Sequence, residues 1–215
     1  MPNPIPGYLW DFQLLEAQAA GDGGERLFAT ETGDLTTRID QLRHRLSAQE
    51  AELVALRRRL YLDPVTAAAN PRALYDAWEG LDVELPAGLV VVDIDGFHRV
   101  NARGGRRVGD AVLRAVVVHM QRVLRRDDVL ARTGGDEFTV LLPATRRSDT
   151  INVAYRLRAA IQQLCFRHEG LRLRLSLTIG VAFRSGPEPL VCLIERTDEA
   201  MLRAKHWGGG RIALN

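Results

Sequence analysis

Two pairs of acidic residues stand where apolar runs of the chain end. Asp93 and Asp95 close the β-branched run 88–95, and Asp136 and Glu137 precede a second apolar run. Burying a carboxylate costs several kcal/mol unless a cation or another partner compensates. Mg²⁺ prefers oxygen ligands, and carboxylates from separate elements hold it in enzymes of phosphoryl transfer. The two pairs therefore predict a metal site if the fold brings them together.

The second acidic pair lies beside two glycines, Gly134 and Gly135, between the apolar runs 129–131 and 138–142. Two short apolar runs joined in this way predict a β-hairpin with Gly-Gly at its tip. Glycine permits a positive φ and lets another backbone or a phosphate approach closely. The alternative is a hairpin with a solvated acidic tip and no function.

The remaining elements follow from hydrophobic periodicity. Residues 88–95 predict a buried central strand that delivers carboxylates at its C-terminal end. Helices are predicted at 65–80, 110–124, 149–165 and 190–207, and strands at 173–182 and 212–214. This order predicts an α/β or α+β domain with a mixed central sheet and helices packed on it.

An apolar seam precedes that domain. Apolar residues recur at alternating steps of four and three, with Gln49 the one polar member: Leu35, Ile39, Leu42, Leu46, Leu53, Leu56 and Leu60. The seam predicts a parallel two-stranded coiled coil over residues 35–61, which would form a homodimer through residues 35–60. The alternative is an amphipathic helix packed on its own domain. For the leader, residues 1–34, a short helix and disorder both remain open.

Composition excludes several classes of protein. The net charge of +2 is too small to indicate DNA or RNA binding, and no apolar run is long enough to span a bilayer. The N-terminus lacks the pattern of a signal peptide, which favours a cytoplasmic protein. Cys165 and Cys192 lie in apolar surroundings without ligand spacing, so we expect buried free thiols in a reducing compartment.

Several separated motifs over residues 62–215 resemble the GGDEF-domain diguanylate cyclase family. The motifs are Asp63-Pro64-Val65-Thr66 with Asn70, Val92-Asp93-Ile94-Asp95-Gly96-Phe97, Gly134-Gly135-Asp136-Glu137-Phe138, Thr178-Ile179-Gly180-Val181-Ala182, and Asp198-Glu199-Ala200-Met201 followed by Ala204-Lys205. The resemblance implies a palm-like catalytic fold that condenses two GTP molecules into cyclic di-GMP and pyrophosphate. The active site would form between two facing domains.

The resemblance also assigns roles by position. It implies that Asp93, the Ile94 carbonyl and Asp136 hold Mg²⁺ (or Mn²⁺), with Glu137 beside them. Asp136 would help deprotonate the attacking 3′-hydroxyl, and Lys205, the chain's single lysine, would neutralise phosphates. The implied substrate-binding residues are Asn101 and Asp110 at the guanine, Gly134 and Gly135 at the phosphates, and Phe97 and His98.

The family has a product-inhibition site with the pattern Arg-x-x-Asp, which Arg125 and Asp128 supply here. Without the resemblance, a helix-terminal charge cluster is the alternative. Other positions depart from the family pattern: His98 replaces a lysine, Arg106 a common histidine, Gly209 an arginine, and Ala67-Ala68 a Gly-Leu pair. Two hypotheses follow, an active cyclase and a catalytically weak receptor for GTP or cyclic di-GMP that signals through the coiled coil.

Overall fold

The structure is a computed structural model that describes residues 24–168, 171–184 and 186–215; for residues 24–34, 36 and 171 it describes only the backbone. The chain divides into two units, of which the first ends at Ala55 and the second comprises Leu56–Asn215. Residues 1–23 of the leader, for which a short helix and disorder both remained open, lie outside the described residues.

Helix α1 spans Gly24–Tyr61. It begins inside the stretch that the sequence assigned to the leader, where five of residues 24–34 are good helix formers: Glu25, Arg26, Leu27, Ala29 and Glu31. The apolar seam residues are 38 to 60% exposed in the single chain. An exposed seam of this kind is available to a partner, and its pairing with a second copy stays a prediction.

A five-stranded mixed sheet lies at the centre of the second unit. Its strands are β1 (Gly88–Ile94), β2 (Val129–Arg132), β3 (Glu137–Leu142), β6 (Leu177–Phe183) and β7 (Ile212–Leu214), in the order β2-β3-β1-β6-β7. The central strand β1 runs antiparallel to both β3 and β6, and β7 is parallel to β6. A separate hairpin joins β4 (Cys165–His168) to β5 (Leu171–Arg174).

Helices cover both faces of the sheet. They are α2 (Pro71–Glu79), α3 (Phe97–Gln121), α4 (Arg147–Gln162) and α5 (Leu190–His206). Alternate residues of β1 enter different cores: Val90 and Val92 pack with α3 and α4, whereas Leu89 packs with α2 and α5. The predicted mixed sheet with packed helices is confirmed. No described helix is long and apolar enough to cross a membrane.

Four predicted boundaries were wrong. The helix predicted at 149–165 ends at Gln162, and Cys165 begins β4. Helix α2 begins at Pro71, after Asn70 caps it by accepting a hydrogen bond from the Ala73 amide at 3.0 Å. Helix α3 begins at Phe97 rather than near residue 110, and Gly105 (φ 71°, ψ 176°) kinks it. The predicted strand 173–182 is two strands, because the chain leaves β5 at Arg174 and enters the central sheet at Leu177.

The prediction of buried cysteines was also wrong. Cys165 and Cys192 are free and exposed. On β4 the neighbouring Phe166 is the residue that enters the core, so Cys165 faces outward. On α5 the buried neighbour is Leu193, which leaves Cys192 on the outer side of the first turn.

Candidate active site

Asp93 and Lys205 form an ion pair at the C-terminal end of β1. Lys205 Nζ donates to Asp93 Oδ2 at 2.8 Å, although the residues are 112 positions apart. The side chain of Asp93 is 12% exposed, and that of Lys205 is 38% exposed. Burial alone would lower the pKa of Lys205, but its hydrogen bond to Asp93 and the nearby carboxylates raise it above the usual value. Lys205 therefore carries its positive charge at neutral pH.

Close packing of α5 on the sheet brings Lys205 to this position. Gly180 lies in β6 next to Val91 of β1. A Cβ atom on Gly180 would stand 2.1 Å from the backbone oxygen of Thr197 and 2.7 Å from the Met201 nitrogen. Lys205 is one helical turn beyond Met201, on the same side of α5. The glycine is thus required for the helix to carry the ammonium group to Asp93.

The β2–β3 hairpin brings the second acidic pair to the same end of β1. Asp93 stands opposite Glu137 in the register of β1 and β3. The Ile94 amide donates to the Asp136 carbonyl at 3.3 Å, and the Thr133 amide closes the turn on the Glu137 carbonyl at 3.1 Å. Asp93 therefore converges with Asp136 and Glu137, whereas Asp95 accepts hydrogen bonds from Ser176 and Thr178 instead.

The two glycines of the turn provide space rather than an unusual backbone conformation. Neither Gly134 nor Gly135 has a positive φ. A Cβ atom on Gly134 would lie 2.8 Å from Glu137 Oε2, whereas a Cβ atom on Gly135 would meet no atom within 4 Å. Gly134 makes room for Glu137, and Gly135 leaves its side of the turn open. That the open side receives phosphates stays a prediction.

Several carboxyl groups raise each other's proton affinity. Burial raises the pKa of Asp136, and the charge of Asp93 raises it further, while Lys205 and His98 oppose this. Burial also raises the pKa of Glu137 despite the opposing charge of Lys205. Asp198 on α5 has a pKa raised by burial as well. The site holds more negative charge than Lys205 neutralises, which favours a bound cation.

The donor set fits Mg²⁺ in kind. Asp93, Asp136 and the Ile94 carbonyl are all hard oxygen donors, and Asp93 raises the pKa of Asp136. Within the described ranges, no group of three or more His, Cys, Asp or Glu side chains is arranged to hold a metal ion. Mg²⁺ commonly takes one or two protein carboxylates together with water and substrate phosphates, and Asp93 and Asp136 would supply two.

The predicted guanine-binding residues lie on the two sides of the kink of α3. Asn101 precedes the kink at Gly105 and Asp110 follows it. A Cβ atom on Gly109 would lie 2.0 Å from the Asn101 Oδ1 atom, so the amide group rests directly on Gly109, beside Asp110. Phe97 is 8% exposed and belongs to the core, with its ring beneath Gly109. We expect Phe97 to support this contact rather than to present its ring to a substrate.

His98 and Gly209, two of the positions that depart from the family pattern, differ in their structural setting. His98 is exposed, and its charge acts on Asp136. Gly209 has a φ of +68°, and a Cβ atom there would lie 3.1 Å from both Asp95 Oδ1 and Thr178 Oγ1. Asp95 in turn accepts hydrogen bonds from Ser176 and Thr178. An arginine at position 209 would be strained in this loop.

Arg125 and Asp128 form a compact turn after α3. The Arg125 amide donates to Asp128 Oδ2 at 2.7 Å. Burial raises the pKa of Asp128, while Arg125 and Arg156 lower it. Arg156 of α4, which donates from Nη2 to the Val123 carbonyl at 2.8 Å, is a third charged neighbour that the sequence did not single out.

Arg132 joins the start of the domain to the turn between β2 and β3. Its Nη1 atom lies 3.1 and 3.2 Å from the two carboxylate oxygens of Asp63, and its Nη2 atom donates to the Gly135 carbonyl at 2.7 Å. The sequence predicted neither Arg132 nor Asp198 as a site residue. The seven-residue spacing of Asp198 and Lys205 would have indicated one face of a helix, but no local pattern links Arg132 to Asp63, 69 positions earlier.

Relatives of known name are similar to this chain. It is 32% identical to the diguanylate cyclase DgcP of Pseudomonas aeruginosa over 219 residues, which cover 95% of the chain and 32% of that relative. The chain thus spans about a third of that protein's length.

Two solved structures share the fold. The diguanylate cyclase SiaD of P. aeruginosa, in complex with its activator SiaC, matches with a TM-score of 0.69 and 27% identity, covering 94% of this chain and 84% of that one. The GGDEF domain of DgcB from Caulobacter crescentus, in complex with cyclic di-GMP, matches with a TM-score of 0.67 and 27% identity, covering 72% and 92%.

The family model described as "Diguanylate cyclase, GGDEF domain" matches residues 60–211. That range contains the β1 strand, the β2–β3 hairpin and α5, which together build the acidic site. The chain therefore belongs to the GGDEF-domain family of diguanylate cyclases.

Proposed function

We propose that the chain is a diguanylate cyclase that condenses two GTP molecules into cyclic di-GMP and pyrophosphate in the cytoplasm. The observation that carries this proposal is the convergence of Asp93, Asp136 and Glu137 with Lys205 at one end of the sheet. Carboxylates and a cation in this arrangement suit chemistry on a polyphosphate. A hairpin with a merely solvated tip would not require the buried Asp93.

In this proposal the side chains bind, orient and move a proton. Asp110 accepts hydrogen bonds from the N–H donors of guanine, and Asn101 contacts the same base, which disfavours adenine. Lys205 neutralises the phosphates beside the open turn at Gly135. Asp136, whose pKa is raised, accepts the proton of the 3′-hydroxyl that attacks the α-phosphate of the partner's GTP.

A magnesium or manganese ion would be held by Asp93, the Ile94 carbonyl and Asp136, and when bound it would polarise the phosphate under attack. Lys205 now pairs with Asp93 Oδ2 at 2.8 Å. We expect this ammonium group to turn toward the phosphates once a cation shares the carboxylate. Glu137 adds negative charge beside the same position.

We further propose that a homodimer brings two such sites face to face, since each site would hold one GTP. The exposed seam of α1 supports this pairing. Light scattering of Leu46→Glu, which places a charge in the seam, should show dissociation, whereas His44→Glu, on the side of the helix opposite the seam, should remain dimeric. A dimer that survives Leu46→Glu, or that persists in a protein beginning at Asp63, would rule out the coiled coil as the cause of dimerisation.

Product inhibition at Arg125 and Asp128 is a separate proposal. Arg125 is exposed, Asp128 is half-buried, and Arg156 adds positive charge beside them. Guanidinium groups in this arrangement suit the guanine and phosphates of cyclic di-GMP. Added cyclic di-GMP should inhibit the wild type, and Arg125→Ala should relieve the inhibition, with Arg126→Ala as the matched control. Equal inhibition of the wild type and Arg125→Ala would argue against the site.

A second candidate function is a catalytically weak receptor for GTP or cyclic di-GMP. Gly209 favours it, because the arginine that the family usually has there is missing and would be strained at this positive φ. His98 adds a second weakened phosphate contact.

Incubation with GTP and Mg²⁺ followed by chromatography distinguishes the two candidates. A cyclase yields cyclic di-GMP and loses this activity in Asp136→Ala. A receptor yields none, yet still binds cyclic di-GMP, and loses that binding in Arg125→Ala.

A further inference from the structure

A cavity of about 210 Å³ lies between the first half of α3 and β5, apart from the acidic site. Three arginine side chains line it: Arg99 and Arg103 from α3, and Arg174 from the end of β5. The rest of the wall comes from Asp95, Gly96, Val100, Leu173 and Leu175. The cavity therefore gathers three positive charges and one negative charge.

Among the residues that the structure describes, no acidic partner neutralises the three guanidinium groups. None of them forms a hydrogen bond or ion pair with a residue that the structure describes. Asp95, the one acid in the wall, accepts hydrogen bonds from Ser176 Oγ at 2.6 Å and from Thr178 Oγ1. Its two oxygens are thus already engaged, and the cavity keeps a surplus of positive charge.

The arginines face away from the predicted nucleotide-binding side chains. Arg99 and Arg103 are four residues apart and share one side of α3, whereas His98 and Asn101 share another side, well over a right angle around the helix. The guanidinium group of Arg99 is folded onto the turn before α3, since a Cβ atom on Gly96 would lie 2.4 Å from Arg99 Nη2. The cavity is thus a second, differently charged site.

We propose that this cavity binds a small phosphate anion. Arginine matches phosphate through paired N–H donors, and three such groups suit an anion of more than one charge. A volume of about 210 Å³ equals that of about seven water molecules in the liquid. This is room for one or two phosphate groups, as in inorganic pyrophosphate or the phosphate chain of a nucleotide whose nucleoside stays outside.

Calorimetric titration of the whole protein with inorganic pyrophosphate tests the inference. The titration is done at low ionic strength, where charge interactions are least screened, and with EDTA present, so that no metal bridges the anion to the acidic site. One site per chain is expected. Arg103→Gln and Arg174→Gln should each raise the dissociation constant about tenfold, because each removes about one hydrogen bond to a charged group. Both arginines are exposed, so the variants should fold.

Arg107→Gln is the matched control, because Arg107 is an exposed residue of the same helix that does not line the cavity. It should bind pyrophosphate as the wild type does. Equal weakening in this control, or unchanged affinity in Arg103→Gln and Arg174→Gln, would overturn the inference.

Two further titrations locate the anion and identify its source. Lys205→Met should leave pyrophosphate affinity unchanged, and loss of binding in this variant would move the anion to the acidic site and overturn the inference. A parallel titration with GTP distinguishes the sources. GTP binding that weakens in Arg103→Gln indicates a nucleotide's phosphate chain as the ligand, whereas pyrophosphate binding without GTP binding indicates the free anion.

The inference does not depend on the proposed cyclase activity. A protein without cyclase activity that binds pyrophosphate in this way would support the cavity and contradict only the proposed function.

Discussion

Replacement of Arg132 by methionine tests whether the ion pair with Asp63 secures the domain. The side chains of Arg132 and Asp63 are only 14% and 15% exposed. Removing one partner of a buried ion pair costs about 3–5 kcal/mol. Asp63 keeps other donors, since the Thr66 amide and hydroxyl lie 2.8 and 2.7 Å from its Oδ1 atom. The cost should therefore fall at the lower end of that range.

The buried Nε atom of Arg132 reduces the cost of this replacement further. Arg132 Nε is buried and has no hydrogen-bond partner among the described residues. An unsatisfied buried donor costs about 1–3 kcal/mol, and methionine removes it. We therefore expect Arg132→Met to lower the free energy of unfolding by about 2 kcal/mol, which corresponds to a fall in Tm of about 4–8 °C for a domain of this size.

Urea denaturation followed by tryptophan fluorescence measures this change, since Trp78 is 6% exposed in the folded domain. Arg43→Met is the matched control. The Arg43–Asp40 pair is 78% and 61% exposed at its two side chains, so its loss should cost at most about 0.5 kcal/mol. Equal losses in the two variants, or no loss in Arg132→Met, would refute the structural role of Arg132.

The stability difference should also depend on pH. Burial opposes ionisation of Asp63, but hydrogen bonds from Thr66 and the charge of Arg132 prevail and hold its pKa below the usual value of 3.8. A lowered pKa in the folded state contributes stability above the unfolded value, and this stability is lost as the pH falls through the folded value. The difference between wild type and Arg132→Met should therefore shrink below about pH 4. A constant difference down to pH 2 would contradict this.

Four further substitutions test individual features. Asp136→Asn should raise the free energy of unfolding at pH 7, because the raised folded-state pKa of Asp136 makes its ionised form unfavourable above that pKa. The gain should vanish below about pH 4, which an acid titration of unfolding measures. Ala67→Gly should raise the free energy of unfolding by about 1 kcal/mol, since Ala67 has a φ of 58°; an unchanged urea midpoint would contradict that conformation. Gly180→Ala should cost 3 kcal/mol or more, at about the upper limit for overpacking, because α5 cannot move away without losing the Lys205–Asp93 contact. Gly135→Ala should leave thermal stability unchanged and lower cyclase activity at least about tenfold, and a loss of stability would show that the turn is not open as described.

Local pattern predicted the elements that hold the acids. The uninterrupted apolar run of β1 and the Gly-Gly turn between β2 and β3 are strong signals, and both elements lie where the sequence placed them. Gly104 and Gly105 misled the prediction for α3, because two adjacent glycines usually mark a loop. Here only Gly105 leaves the helical conformation, and helix continues on both sides of it.

Contacts between distant residues could not be read from local pattern. The family resemblance assigned Lys205 to the phosphates, but its contact with Asp93 was not predicted, since no periodicity connects a helix end to a strand 112 residues earlier. The break between β5 and β6 was missed because leucines continue to alternate with other residues from β5 into β6 without a glycine or proline between them. Strand β4 was missed because the preceding helix was predicted to extend to Cys165. The basic cavity was missed because Arg174 lies on a different element from Arg99 and Arg103, and local pattern does not show which elements pack together.

The most direct test of the proposed active site is the formation of cyclic di-GMP from GTP, measured by chromatography with and without Mg²⁺. The proposal predicts product from the wild type with Mg²⁺, none with EDTA, and at least about a hundredfold loss in Asp136→Asn and Lys205→Met. Gly135→Ala should fall between these variants and the wild type. Product that persists in Asp136→Asn would contradict the assignment of the acidic turn to catalysis.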